Sequence, residues 1–234
     1  MAWNCTTDRY DTLYRRWLTN PGELLDLGGY QPGQTVLDLC GGTGAVSREI
    51  LKRGARQGEV YLLDLKPRCD LVGVGVIQAD LNHIWLTHSP SPFRCGAQPF
   101  THRFDLIVCR QAMAYLDLRS HAGFLLAHWL LAVLKPGGKL VFNIFNWPKN
   151  TSRWVFKRYT YEGQRFWEVT VRIGTRVFHL QALLGRGGGF DVTTFRAYTK
   201  ADLMWAFFPH FDCETHRSED GRSERWVCTS RRQR

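Results

Sequence analysis

The chain has 234 residues, of which 44% are hydrophobic and 22% are charged, a composition typical of a globular protein that can bury a substantial core. The N-terminus lacks the apolar segment of a secretory signal, and no stretch approaches the ~20 apolar residues of a membrane span, which predicts a cytoplasmic protein without membrane association. The formal net charge of +10 admits an anionic partner such as RNA, but outside the tail from Arg231 to Arg234 the basic residues are scattered.

The cysteine content argues against two kinds of stabilising site. The seven cysteines are an odd number without a C-x-x-C pair, which argues against a disulfide framework and against a zinc site. No cluster of His, Cys and Asp residues has the spacing of metal ligands, so we expect no metal. Cys40 and Cys109 are predicted at the ends of central strands, where a free cysteine behaves as a small apolar residue.

The first 34 residues are predicted to form helices. Tyr10 and Tyr14 lie four residues apart within a pattern of helical spacing over residues 6–19, which predicts an amphipathic helix. The Asn-Pro-Gly sequence at 20–22 ends that helix, and a short second helix is expected around residues 23–27.

The following segment alternates strands with helices. Near-continuous apolar runs predict strands near residues 36–40, 60–64, 74–78, 104–109 and 139–145. Residues 134–138 are predicted to be a helix end and a tight turn, and a proline-containing loop is expected to replace most of the crossover helix at 86–103. Such strands predict a parallel sheet that is covered on both faces.

After residue 150 the pattern becomes that of antiparallel strands. Residues 153–161, 164–173 and 175–184 are rich in β-branched and aromatic side chains, which predicts a meander inserted at 151–190. A flexible glycine-rich turn is expected at 186–189.

The end of the chain returns to the pattern of the first part. Thr199 is predicted to cap a helix over residues 200–207. Two last strands, near 211–216 and 224–229, are expected to pair as a hairpin.

The most informative segment is the turn after the first strand. It combines an acidic residue with a small residue and glycines, namely Asp38, Cys40, Gly41, Gly42 and Gly44. Glycines let the backbone approach a ligand closely and leave the amides of a helix N-terminus free. The second strand ends on Asp64, and an acid at this point can hold both hydroxyls of a ribose. Together, the two features predict a nucleoside bound across the first two strands.

The spacing of this motif differs from that of a dinucleotide site. A dinucleotide fingerprint requires G-x-G-x-x-G, whereas here an acid precedes the turn, which would repel a pyrophosphate and suits a ligand with an ammonium group. The motif resembles that of the class I S-adenosylmethionine (SAM)-dependent methyltransferases, (D/E)-x-G-x-G-x-G. Cys40 stands where the first glycine usually does, as a small residue does in quinone-biosynthesis methyltransferases.

The resemblance implies a fold. It is an α/β Rossmann-like three-layer sandwich, with a mostly parallel seven-stranded sheet, an antiparallel C-terminal hairpin and the inserted meander. We expect one SAM-dependent methyltransferase domain over residues 1–234. In it, helices over 1–34 would form a lid, and the insertion at 151–190 would face the acceptor.

The resemblance also implies SAM as the cofactor and assigns its contacts. Asp38 would help to orient the SAM ammonium, and Asp64 would take the ribose hydroxyls. Asp80 and Leu81 follow the third strand, where the family holds the adenine. The other cofactor contacts implied in this way are Tyr10, Cys40, Gly41, Gly42, Gly44, Leu65, Cys109 and Arg110.

The acceptor site is less well specified by the sequence. Residues 109–116 resemble the C-R-Q-A-x-x-x-L stretch of small-molecule methyltransferases, and they lack the (N/D)-P-P-(Y/F) motif of enzymes that methylate base and amide nitrogens. The predicted substrate contacts are Tyr14, Gln111, Tyr115, Asn146 and Trp147. No general base is assigned, and the candidates for a catalytic residue are Tyr14, His83 and Tyr115.

We therefore expect the transfer of a methyl group from SAM to an N, O or C atom of a small organic acceptor, by a monomer or a homodimer. The basic net charge leaves an RNA methyltransferase as an alternative. A second alternative is a SAM-binding protein without turnover.

Overall fold

The computed structural model describes residues 19–67, 70–82, 94–95, 98–99, 103–119, 121–145, 154–161, 163–184, 189–218 and 223–231. Its contacts divide the chain into two compact units. The central unit consists of Thr19–Phe145 with Thr199–Arg234, and the meander unit consists of Met1–Leu18 with Asn146–Tyr198. The predictions that concern the helix over 6–19, Tyr10, Tyr14, His83, Asn146 and Trp147 lie outside the described residues. A single domain over 1–234 stays a prediction.

A seven-stranded sheet forms the middle of the central unit, in the order β12-β13-β7-β6-β1-β2-β3. Strands β1, β2, β3, β6 and β7 pair in parallel, and β13 at one edge pairs antiparallel with both β7 and β12. This confirms the predicted fold class. The strands are β1 (Val36–Leu39), β2 (Val60–Asp64), β3 (Val74–Gln78), β6 (Phe104–Cys109), β7 (Leu134–Phe145), β12 (Phe211–Arg217) and β13 (Ser223–Ser230). The short strands β4 (Arg94–Cys95) and β5 (Gln98–Pro99) pair with each other.

Helices cover both faces of this sheet. They are α1 (Pro21–Gly28), α2 (Ala45–Lys52), α3 (His121–Val133) and α4 (Lys200–Phe207). Val141 of β7 belongs to a buried cluster with Leu24 of α1 and Ile50 of α2. The next residue, Phe142, lies 5.3 Å from the ring of Phe207 in α4. Because successive side chains of a strand point to opposite faces, α1 and α2 lie on one face and α4 on the other. The unit is therefore a three-layer sandwich.

Helix ends follow the capping rules. Pro21 occupies the start of α1, where its missing N–H has no intrahelical acceptor to lose, and the Asn20 side chain accepts from Gly22 N at 2.9 Å. Thr199 and Asp202 form a capping box at the start of α4, as Thr199 was predicted to do.

The entry into β7 differs from the prediction. Residues 134–138 were expected to be a helix end and a tight turn, yet β7 already begins at Leu134. Phe104 pairs with Leu134 and Leu106 pairs with Lys139, so the residues in between form a bulge on the β7 side. The Pro-Gly-Gly sequence therefore bends a strand that is paired at both ends.

The C-terminal hairpin contains a feature that the cysteine count did not predict. Cys213 and Cys228 are directly opposite each other in β12 and β13, and they are joined by a disulfide. The expectation of cysteines without disulfides is wrong at this pair, because a cross-strand register, unlike a sequence spacing, brings residues 15 positions apart into contact.

The meander unit contains one antiparallel sheet, in the order β11-β10-β9-β8. Its strands are β8 (Trp154–Tyr161), β9 (Gln164–Ile173), β10 (Arg176–Leu184) and β11 (Gly189–Arg196). The first three were predicted, whereas β11 was not, because the glycine run before it indicated only a turn. No helix within the described residues is long and apolar enough to cross a membrane.

Candidate functional site

The carboxyl ends of three neighbouring strands define the candidate site. β1 lies between β2 and β6 and is parallel to both, with Leu39 opposite Leu63 and Asp38 opposite Val108. The segments that follow these strands therefore leave the sheet at one edge, the edge at which parallel α/β sheets bind ligands.

The turn after β1 has a left-handed backbone at Cys40 (φ 55°), Gly42 (φ 51°) and Gly44 (φ 78°). A Cβ atom at Gly41 would lie 2.6 Å from Leu62 Cγ, so glycine is required there by packing. A Cβ atom at Gly42 would meet no atom of the described chain within 4 Å. The glycines thus have two roles: Gly41 fits the turn against β2, and Gly42 presents bare backbone to open space.

Asp64 fixes this turn to the end of β2. Its Oδ2 accepts a hydrogen bond from Gly42 N at 3.0 Å, and its Oδ1 accepts one from Lys66 N at 2.8 Å. A carboxylate oxygen accepts more than one hydrogen bond, so both oxygens retain capacity for a ligand. Leu65 beside it is 53% exposed.

Asp38 is buried beneath the turn. Its Oδ2 accepts hydrogen bonds from Ser47 N at 3.0 Å and Ser47 Oγ at 2.8 Å, which connects β1 to the first turn of α2. Burial raises the pKa of Asp38 to about 6, while the Ser47 hydrogen bonds and the nearby Arg110 charge oppose the rise and the Asp64 charge adds to it. In the described contacts, the Asp38 carboxyl therefore stabilises the turn by fixing the start of α2 to β1.

Two thiols meet at this edge. The hydrogen bond with Cys109 and burial together raise the pKa of Cys40 well above its usual range. The Cys40 thiol therefore stays protonated at neutral pH, and both side chains lie where the strands end. The sequence predicted both positions at strand ends.

The loop after β6 is held in place by hydrogen bonds to β7. Gln111 is buried with a left-handed backbone (φ 60°), and its N–H donates to Asn143 Oδ1 at 2.9 Å. Asn143 Nδ2 donates to Thr19 Oγ1 at 2.9 Å, and Arg110 Nε donates to Thr19 O at 2.7 Å. One buried asparagine thus links the loop to the start of the described chain.

The remaining predicted residues lie around the same edge. Asp80 follows β3 and its Oδ1 accepts from Asn82 N at 2.9 Å, so it forms an Asx turn. Leu81 is buried, and Tyr115 is half-buried in a 3-10 turn at Met113–Tyr115. Among the described residues, no group of three or more His, Cys, Asp or Glu side chains could hold a metal.

The sequence analysis missed Ser47, Thr19 and the structural role of Asn143. Asn143 carried a usable signal, because it is a polar residue inside the apolar run of β7 and is fully buried. Ser47 and Thr19 carried none, since serine and threonine are common in helices and loops.

Asp38 makes the stability of the protein depend on pH. Its pKa is about 6 in the folded chain and 3.8 for an ordinary aspartate. Between these two pH values, the folded state therefore binds more protons than the unfolded state. This contribution is fully present below pH 3.8 and is lost as the pH rises through about 6. We expect the free energy of unfolding, measured by urea denaturation, to fall over that range by more in the wild type than in Asp38→Asn. Equal pH slopes for the two proteins would contradict the assignment.

Comparison with known proteins identifies the family. A family model described as a methyltransferase domain matches residues 9–172. The chain is 28% identical over 161 residues to the ubiquinone/menaquinone biosynthesis C-methyltransferase UbiE of Edwardsiella ictaluri, covering 66% of this chain and 58% of that protein. It is 32% identical over 127 residues to UbiE of Laribacter hongkongensis, covering 50% and 45%. The chain thus spans about half the length of the curated relatives it matches.

Solved structures share the fold at low sequence identity. DesVI of Streptomyces venezuelae has a TM-score of 0.69 at 18% identity, with 96% of this chain and 98% of that chain covered. The SAM-bound amino pentose methyltransferase CalS10 of Micromonospora echinaspora has a TM-score of 0.69 at 20% identity, with 99% and 100% covered. The glycine turn and Asp64 at the end of β2 lie within the segment that the family model matches. The chain belongs to the methyltransferase domain family.

Proposed function

We propose that the chain transfers a methyl group from SAM to a small organic acceptor. The observation that carries this proposal is the bare backbone of Gly42 beside the Asp64 carboxylate, at the carboxyl ends of β1 and β2. A ligand with a ribose next to a polar, positively charged group fits that pair. The cytoplasmic location and the monomeric or homodimeric state remain predictions.

The chain's residues would hold SAM as follows. The hydrogen bonds from Gly42 N and Lys66 N keep the Asp64 carboxylate in place, and its remaining capacity would accept the two ribose hydroxyls. The exposed Leu65 and the Asp80–Leu81 pair would border the adenine. Cys40, Gly44, Cys109 and Arg110 would line the methionine end, with Tyr10 as a further contact. Asp38 would act there through the turn or a water.

SAM supplies an electrophilic methyl group on a sulfonium sulfur. In the proposed reaction, an acceptor electron pair would form the new bond to the methyl carbon, the electron pair of the broken C–S bond would stay on sulfur, and the acceptor proton would pass to solvent. The protein contributes mainly by positioning, which is worth roughly 7–11 kcal/mol in favourable cases. Gln111 and Tyr115 border this edge and would contact the acceptor, and Tyr14, His83, Asn146 and Trp147 stay candidates.

The direct test is product identification. The purified full-length chain is incubated with methyl-labelled SAM and a metabolite extract, and the small-molecule and RNA fractions are separated for mass spectrometry. We expect label in a small molecule. Label in RNA alone would overturn the acceptor class, and SAM binding without any labelled product would favour a protein without turnover.

The ribose contact is tested by Asp64→Ala. We expect SAM affinity, measured by calorimetry, to fall at least about tenfold, because the ribose hydroxyls and the Gly42 amide lose a half-buried hydrogen-bond partner. Asp70→Ala removes an exposed aspartate from the loop before β3 and serves as the matched control. A folded Asp64→Ala protein with wild-type affinity would refute the placement.

The open backbone is tested by Gly42→Ala. The new Cβ would enter the space that the ligand is proposed to fill, so we expect SAM affinity to fall by about tenfold or more, while the left-handed backbone costs only roughly 1–2 kcal/mol of stability. Gly174→Ala is the matched control, since Gly174 also has a left-handed backbone (φ 60°) and open space around it. If the two variants bind SAM equally well, Gly42 does not line the site.

A further inference from the structure

One face of the four-stranded sheet in the meander unit carries apolar side chains that are open to solvent. Register places Phe156, Val169, Leu180 and Val192 opposite one another, in a row that crosses all four strands. Residues paired in this way share a face of the sheet. Phe156 is 55% exposed and Val192 is 53% exposed, and the two residues between them are half-buried. A complete cross-strand row of apolar side chains therefore meets water.

A second row on the same face extends this surface. It consists of Arg158, Trp167, Ala182 and Phe190, each two residues away from its neighbour in the first row. Trp167 is 39% exposed and Phe190 is 75% exposed. We call the apolar side chains of these two rows the apolar face.

Apolar side chains also lie on the opposite face of this sheet, where they are buried. Phe166, Val177 and Phe195 occupy the alternate positions of their strands and are between 0% and 6% exposed. An antiparallel sheet with one buried face usually carries polar side chains on its solvated face. A contiguous apolar patch in that place is typical of an interaction surface. The pattern therefore indicates that a partner covers the apolar face.

The size of this side of the sheet fits a subunit interface. Its four strands are each at least eight residues long. With strands about 4.8 Å apart and about 3.3 Å per residue, they give a flat area of roughly 500 Å², and the accessible surface of the side chains on it is larger. A stable dimer of standard size buries about 800 Å² on each partner. A small ligand or a short peptide would leave most of this surface in water.

The charged residues on this side of the sheet lie at its margins. Arg165 and Arg176 are at the ends of β9 and β10, and Arg158 is on the edge strand β8. None of the described positions on this side is Asp or Glu. Interfaces between protein chains are enriched in aromatic residues and arginine, and their centres are depleted in charged residues. The composition of this side of the sheet is therefore that of a protein interface.

The shape of the surface favours a second copy of the chain as the partner. Two twisted sheets pack face to face about 10 Å apart, so a sheet face is best matched by another sheet face. In a two-fold arrangement, each apolar face would meet an identical one. The apolar centres would then exclude water, while the arginines at the margins would keep their hydration.

We propose that two copies of the chain form a homodimer through their apolar faces, sheet against sheet, about a two-fold axis. The contact involves the meander unit of each copy. It is independent of the proposed methyl transfer, so its failure would leave that function standing.

The oligomeric state of the full-length chain is measured by sedimentation velocity from nanomolar to high micromolar concentration. We expect a dimer with twice the chain mass of 27.0 kDa. Phe156→Lys should raise the dissociation constant of the dimer at least about tenfold, because it places one lysine from each copy in a contact that excludes water. A wild type that stays monomeric over this range would overturn the proposal.

Phe208→Lys is the matched control. Phe208 is 47% exposed and its ring centroid lies 5.2 Å from the Arg231 guanidinium, while Phe156 is 55% exposed and lies 5.7 Å from the Arg158 guanidinium. Phe208 belongs to the central unit, so Phe208→Lys should leave the dimer unchanged. Equal weakening of the dimer by the two variants would overturn the proposal.

Hydroxyl-radical footprinting of the wild type locates the contact without any variant, so it decides even if Phe156→Lys does not fold. We expect oxidation of Trp167 to fall as the protein concentration rises through the dissociation constant of the dimer. Trp205, which is 55% exposed in the central unit, should be oxidised equally at every concentration. A dimer in which Trp167 stays fully reactive would overturn the proposal.

Two further results would assign the apolar face to another partner and would also overturn the proposal. A monomer in which Trp167 is protected at every concentration would mean that another segment of the same chain covers the face. A monomer that binds phosphatidylglycerol vesicles and in which Trp167 becomes protected on binding would mean that an anionic lipid surface covers it.

Discussion

The candidate site depends on the hydrogen bonds that hold the turn after β1 against β2. Gly41 N donates to Leu63 O at 3.2 Å, and Gly42 N donates to the Asp64 carboxylate at 3.0 Å. Because a side chain at Gly41 would collide with Leu62, the turn packs in this position only with glycine. The bare backbone at Gly42 is therefore a consequence of how the first two strands are joined. The proposed cofactor site follows from this junction.

Strained backbone at the same edge supports a functional interpretation. In the described chain, the non-glycine residues with a left-handed backbone are Cys40 and Gln111, at the ends of the neighbouring strands β1 and β6. Such conformations cost of order 1–3 kcal/mol each and persist where surrounding contacts enforce them. Here Cys40 contacts Cys109, and the Gln111 amide is fixed by the buried Asn143. Strain of this kind is typical of ligand-binding sites rather than of simple loop connections.

Sequence reasoning predicted the features that depend on local patterns. The continuous apolar runs predicted the parallel sheet, and the glycines together with Asp64 predicted the edge of the sheet at which a ligand would bind. Features that depend on register could not be predicted, because register is decided by tertiary packing. The bulge in β7 and the Cys213–Cys228 disulfide belong to this group. Asn143 is an intermediate case. The apolar run around it in the sequence indicates that it is buried, but the sequence does not indicate its hydrogen-bond partners.

A crystal structure of the protein with SAM would test the central claim most directly. The account predicts that both ribose hydroxyls lie within hydrogen-bonding distance of the Asp64 carboxylate, with the methionine portion against the backbone of Gly42. SAM bound away from the carboxyl ends of β1 and β2, or a dinucleotide occupying that edge in its place, would contradict it.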